Sequence, residues 1–296
     1  MMKVRNIKEK MCLWLIISGI FVLAIAQKAE AAKSGMKEVK LGTVYSQYDL
    51  NSDGILDTFR AVVTERAKTA KRSKADTGET GTLCIYINND VVFEQTRNEY
   101  PYWRLSLITL QNGRTFVDIE NTVGSDDDCM HGLYALRNGQ LERICNFQEP
   151  YSKYGNYYHV TITKVSGNSL IADAGAQFFT TGITHWTMKF QYMICKCQER
   201  HENFGRTADS FKIRYKTMPV KNKWTAGKKL KAYKKAGSKK VAYTIKKGNI
   251  IKINKIVFKN NKVYFQIMNE KGKTGYIPCA RKYKYKQDFK EAMFAG

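Results

Sequence analysis

Asp49, Asn51, Asp53 and Asp57 stand at positions one, three, five and nine of the stretch "DLNSDGILD", with Gly54 at position six. Side-chain oxygens on alternate residues of a tight turn suit a hard cation such as calcium, and glycine permits the bend. An EF-hand would add a bidentate Glu at position twelve, but that residue is Arg60, and the flanks read as strands rather than helices. The expected role is a calcium ion pinning loop 49–57, not catalysis. The alternative is an Asp/Asn-rich turn that needs no ion.

A second concentration of one chemistry lies near the C-terminus. Residues 224–248, "WTAGKKLKAYKKAGSKKVAYTIKKG", carry nine lysines and no acid. Lys228, Lys229, Lys231, Lys234, Lys235, Lys239 and Lys240 are interrupted by Leu230, Tyr233, Val241 and Ile245, at spacings that belong to folded strands and not to a tail. The lysines are therefore expected to point outward and to meet a polyanion. Lysine binds phosphate as a point charge, and Arg281 is the one arginine in 219–296, which suits polyanion attraction better than base-specific nucleic-acid readout. The alternative is a solubilising surface with no defined partner.

Catalytic groups are sparse. The four histidines are His131, His159, His185 and His201. "DDDCMHG" sets Cys129 beside His131 without a third group to orient the pair. "CKCQERH" offers Cys195, Cys197 and His201 to zinc without a fourth ligand. The acidic "SDDDC" (125–129) reads as a solvated turn. No glycine-rich phosphate loop, G-x-S-x-G or H-E-x-x-H occurs. "YSKYGNYYHV" brings Tyr151, Tyr154, Tyr157 and Tyr158 together, either as a sugar-stacking surface or with one ring packed inward. A binding protein is expected rather than an enzyme. A wall hydrolase, an amidase accessory protein and an adhesin are the alternatives.

The elements that must position these groups read as strands. Short runs such as "DTFRAVVTE", "TLCIYIN", "RLSLITL" and "YHVTITKV" alternate in polarity and are separated by "NND", "QNG", "RNG" and "SGN" turns, the signature of antiparallel hairpins. The expected architecture is all-β: an N-terminal antiparallel domain, sandwich or partial propeller, over 33–218, followed by a small module over 219–296. Residues 67–81 read as a surface loop. The module holds 22 basic and three acidic residues, whereas 33–218 is nearly balanced within a chain of formal net charge +24, which places the boundary near Pro219. Residues 1–32 read as an export signal: basic "KVRNIKEK", the apolar run Cys12–Ala26, then small residues up to Ala32. No later stretch is apolar enough to span a membrane, so a secreted protein is expected. The six cysteines after residue 32 then permit up to three disulfides, or stay free thiols in an anaerobic setting.

Two resemblances sharpen these expectations. The loop and the strands after it resemble the D-x-N-x-D-G-x-x-D loops of bacterial surface proteins and integrin-type propeller blades, which implies calcium at Asp49, Asn51, Asp53 and Asp57. Residues 221–285 resemble the bacterial SH3-type domain, through Leu230 to Tyr233, Gly237-Ser238, Val241, Ile245, Lys247-Gly248, "VYFQI", "KGKTGYI" and Tyr283. Tyr233 stands where that family has arginine, and Tyr276 where it has tryptophan. The resemblance implies a closed barrel with an interior of Leu230, Val241, Ile245, Ile250, Ile253, Val263, Phe265 and Ile277. It also implies that the module tethers a protein of a Gram-positive bacterium to its wall, the partner being peptidoglycan or an anionic wall polymer such as teichoic acid.

Overall fold

The computed structural model describes residues 33–65, 81–97, 102–122, 130–147, 153–195, 201–208, 210–214, 223–282 and 287–292. The export signal, residues 67–80 of the loop expected at 67–81, Cys129, Tyr151, Cys197, Pro219 and Tyr283 lie outside these, as do the side chains of Tyr157, Tyr158, Cys195 and His201; Gly81, expected to end that loop, instead opens a strand.

The described residues form strands β1 (Gly35–Glu38), β2 (Val44–Tyr48), β3 (Asp57–Glu65), β4 (Gly81–Ile87), β5 (Asp90–Arg97), β6 (Tyr102–Thr109), β7 (Thr115–Thr122), β8 (Met130–Arg137), β9 (Gln140–Asn146), β10 (Gly155–Ser166), β11 (Ser169–Phe178), β12 (Gly182–Cys195), β13 (His201–Arg206), β14 (Ser210–Arg214), β15 (Trp224–Thr225), β16 (Leu230–Tyr233), β17 (Val241–Ile245), β18 (Ile250–Lys259), β19 (Lys262–Asn269) and β20 (Thr274–Pro278). The expected all-β class is found. The hairpin signals mark real turns: Asn88 and Asn89 between β4 and β5, and Asn138 and Gly139 between β8 and β9, all have positive φ, the conformation a two-residue type I′ turn demands.

Three antiparallel sheets result. One has the order β2-β3-β4-β5, the second β1-β6-β7-β8-β9, and the third β10-β11-β12-β14-β18-β19-β20-β16-β17, with β13 on β12 and β15 on β18. Strand β4 alternates cleanly, burying Gly81, Leu83, Ile85 and Ile87, because only one face of its sheet is covered. The second sheet is buried on both faces. Leu105, Leu107, Ile119 and Tyr134 pack with Phe59, Ala61 and Leu83 of the first sheet. Ile108, Phe116, Leu133 and Ala135 pack with Leu170, Trp186 and Phe190 of the third. That double burial leaves β6 and β8 buried almost without alternation.

The second core does not stop where the charge changes. It runs from Ile108 through Trp186 to Phe258, Phe265 and Phe289, and the ladder crosses with it, since Ser210, Phe211 and Lys212 of β14 pair with Val257, Ile256 and Lys255 of β18. The break in composition near residue 219 marks a change of surface chemistry across a continuous sheet. Among the described residues no helix is long and apolar enough to cross a membrane.

In the C-terminal strands Ile245, Ile253, Val263, Phe265 and Ile277 are buried as expected. A bulge between Ile253 and Lys255 resets the alternation of β18, so that Ile251 and Ile253 before it and Ile256 and Phe258 after it all face inward. Ile250 is consequently half-buried, Leu230 packs at the core's margin, and Val241 is 40% exposed.

Candidate functional site

The exposed side of Val241 opens onto a groove of about 300 Å³ lined by Tyr233, Tyr264, Tyr276, Pro278, Lys231, Lys235 and Lys239. Two cross-strand pairs build it: Tyr233 of β16 faces Tyr276 of β20, and Tyr264 of β19 faces Pro278 of β20. Each ring is half-buried. Gln266 Nε2 donates to the Tyr276 hydroxyl at 2.9 Å, fixing that ring. The β16–β17 loop closes the rim. Its turn is held by Lys234 N to Lys240 O at 2.9 Å, Ser238 N to Lys235 O at 3.1 Å, and Lys240 N to Ser238 Oγ at 3.0 Å. Gly237 has φ 77° and lies close enough to Tyr264 that an added Cβ would stand 3.5 Å from the hydroxyl, so glycine lets the loop lie against the groove.

Of the seven lysines named from the sequence, Lys229, Lys231, Lys234, Lys235, Lys239 and Lys240 are exposed. Lys228 is engaged, its ammonium 2.6 Å from Asp288 Oδ1. The surface is therefore a rim of three lysines around tyrosine faces, with three more alongside. Tyr264 and Pro278 were not singled out by sequence reasoning. Alternation in "KVYFQIMN" carried the signal for Tyr264, because Val263, Phe265 and Ile267 face inward.

The calcium-type loop is assembled at the edge of the first sheet. Asp49 Oδ2 accepts from Gly54 N at 2.9 Å, Asn51 Oδ1 from Asp53 N at 2.9 Å, and Asp53 Oδ1 from Ile55 N at 2.7 Å. Asp57 is buried and its carboxylate accepts from Leu50 N at 2.8 Å and Asn88 Nδ2 at 2.6 Å. The structure thus brings Asp49, Asn51 and Asp53 onto one turn and uses Asp57 to clamp that turn to the β4–β5 hairpin. Asp49 Oδ1 is buried with no hydrogen-bond partner, which fits an all-oxygen cation site. Among the described residues no group of three His, Cys, Asp or Glu side chains is placed to hold a metal.

Arg114 secures the same loop from the other side. Its guanidinium donates to Ser52 Oγ and to Leu50 O, and forks onto Glu202 with Nε–Oε1 at 2.6 Å and Nη2–Oε2 at 2.5 Å. Tyr192 donates to Glu202 Oε1 at 2.6 Å. Burial works to raise the Glu202 pKa, but the bonds from Arg114 and Tyr192 and the charges of Arg114 and Arg137 win, holding the carboxyl below its usual value. Residues 114 and 202 are far apart in the chain, and no local pattern announces their pairing.

The remaining candidates disperse. His131 is buried, with Nε2 2.8 Å from Asp118 Oδ1. Burial opposes its protonation, yet the Asp118 carboxylate raises its pKa on balance. Tyr154 is a core residue whose hydroxyl donates to Asn261 O at 3.0 Å, tying the start of β10 to the β18–β19 turn. Cys84, Cys145 and Cys279 are free thiols, and burial pushes the pKa of Cys145 and of Cys279 up to about 12, which leaves both unreactive as nucleophiles.

No protein-family model, no curated protein and no solved structure matches the chain.

Proposed function

We propose that the C-terminal strands form a bacterial SH3-type barrel whose lysine-rimmed tyrosine groove tethers an exported protein to an anionic wall polymer. Teichoic acid is the favoured partner and peptidoglycan the second. One observation carries the reading: Tyr233, Tyr264 and Tyr276 share a groove with Lys231, Lys235 and Lys239. Phenol faces stack on sugar or polyol units, and the ammonium groups meet the phosphates between them. The order β17-β16-β20-β19-β18 supports the barrel. The test is sedimentation of the full chain with purified Gram-positive walls, before and after removal of teichoic acid. Binding lost with the polymer supports the reading. Equal binding to stripped walls moves the partner to peptidoglycan, and no binding at low salt rejects the tether.

Calcium belongs to the same proposal as a brace. The unpartnered Asp49 Oδ1 favours an ion shared by Asp49, Asn51, Asp53 and Asp57. Its contribution would be to hold turn 49–54 against β3. Calcium-dependent thermal stabilisation, absent in Asp49→Ala, tests it.

A further inference from the structure

The wall-binding reading leaves unused a pair of imidazoles on the third sheet. The register places His159 of β10, Gly175 of β11 and His185 of β12 in one row across three strands. Their chain neighbours Val160, Ala174 and Trp186 are in the core, so alternation sets this row on the opposite, outer face. Strands two apart hold their backbones about 10 Å from one another. Two imidazoles cannot close that gap with a side chain standing between them. Glycine at 175 removes the obstruction, and the rings lean over it until their centroids are 5.7 Å apart, tilted by 58°.

Ring atoms of both histidines crowd the space above Gly175. A Cβ built on Gly175 would stand 2.3 Å from His159 Cε1, 2.9 Å from His159 Nε2 and 2.7 Å from His185 Nδ1. Two ring nitrogens from different strands therefore approach one point, in a hollow that any other residue would fill. His159 is exposed and His185 half-buried, above a buried Gly175. Asp173 lies one row further along the same face, where it accepts from Thr187 Oγ1 at 3.0 Å. Burial and the neighbouring His185 ring lower the His159 pKa against the opposing charge of Asp173.

We infer that His159 and His185 form a two-nitrogen site for a borderline divalent transition metal, such as Zn²⁺, Cu²⁺ or Ni²⁺, with Gly175 as the gap that lets the rings share one ion. Imidazole suits these metals, with metal–nitrogen distances of about 2.0–2.1 Å. A small swing of the rings above Gly175 reaches that geometry. The two imidazoles supply two of the positions that such an ion takes.

The test is titration of the full chain with Zn²⁺ by calorimetry and with Cu²⁺ by electron paramagnetic resonance, comparing wild type with H159A, H185A and G175A. The G175A variant keeps both histidines and fills the hollow. The nearest atoms to its new Cβ belong to two side-chain rings and not to backbone, and the metal-free unfolding midpoint verifies that the fold persists. H159Q replaces H159A if the latter fails to fold. The expected result is one equivalent whose affinity falls at least tenfold in every variant, with the Cu²⁺ nitrogen coupling reduced from two nitrogens to one in H159A and H185A. Ions held elsewhere, at 195–201 or in loop 49–57, are common to all four proteins and cancel in the comparison. A wild type with no variant-sensitive equivalent, or any one variant that binds as well as wild type, overturns the site.

Discussion

Removing the charge of Lys231, Lys235 and Lys239 together should change the salt dependence of wall-polymer binding by a calculable amount. These three rim the groove, and Lys229, Lys234 and Lys240 lie exposed beside them. Each phosphate neutralised on a flexible polyanion releases counterions, and the slope of log K against log salt is about −0.7 per contact for a single strand. Three rim contacts then give a slope of about −2, or a loss of roughly 20-fold between 50 and 200 mM salt. Engagement of all six exposed lysines would give a slope near −4 and a loss of roughly 300-fold. Lys228 is left out because Asp288 already holds it. The assay is a fluorescence titration of the full chain with purified teichoic acid at several salt concentrations, for wild type and K231Q/K235Q/K239Q. All three side chains are exposed, so the variant should fold as wild type does. A slope flattened by about 2 in the variant confirms the rim. An unchanged slope, or wild-type binding indifferent to salt, refutes the electrostatic reasoning.

Three further outcomes are expected. Glu202→Gln removes the charge that Arg114 forks onto in a site where both side chains are largely buried, and should cost about 3 kcal/mol in urea unfolding, the range for a broken buried pair. Because the folded Glu202 pKa lies below its ordinary value, its stabilisation is present above that value and is lost as pH falls through the depressed one. The wild type should therefore lose part of its stability below about pH 4.5 that Glu202→Gln never had. Millimolar calcium should raise the unfolding temperature of wild type and leave that of Asp49→Ala unmoved, in differential scanning fluorimetry. Gly155→Ala places a Cβ 1.9 Å from Gln177 O, a backbone atom that cannot swing away, and should destabilise by about 3 kcal/mol in the same urea assay, the upper range for overpacking.

What was legible in the sequence was what depends on period and turn chemistry. Asn88-Asn89 and Asn138-Gly139 announced their hairpins because few residues accept two successive positive φ values. The outward lysines followed from Leu230 and Ile245 between them. Val241, expected inside, lines the groove, because the β16–β17 ladder shifts register between the pairs Ala232–Tyr243 and Tyr233–Val241 and breaks the alternation. Ile250 lost its place to Ile251, and only the bulge at 253–255 explains that shift. A bulge leaves little trace in composition. The groove's tyrosines were partly legible, Tyr233 and Tyr276 as departures from a family pattern, but their meeting depends on the β16–β20 pairing. The link from Arg114 to Glu202 and the row His159–Gly175–His185 arise from long-range pairing. One sequence without its partners in space cannot display such groupings.

The most direct measurement is where the polymer sits on the molecule. Isotope-labelled full-length protein, titrated with purified teichoic acid and followed by nuclear magnetic resonance, reports each ring and backbone amide separately. The expected shifts concentrate on Tyr233, Tyr264 and Tyr276 and on the amides of 231–241, saturate together, and reverse with salt. Shifts spread evenly over every exposed lysine, or confined to residues before 210 with the tyrosines silent, would contradict the groove as the tether.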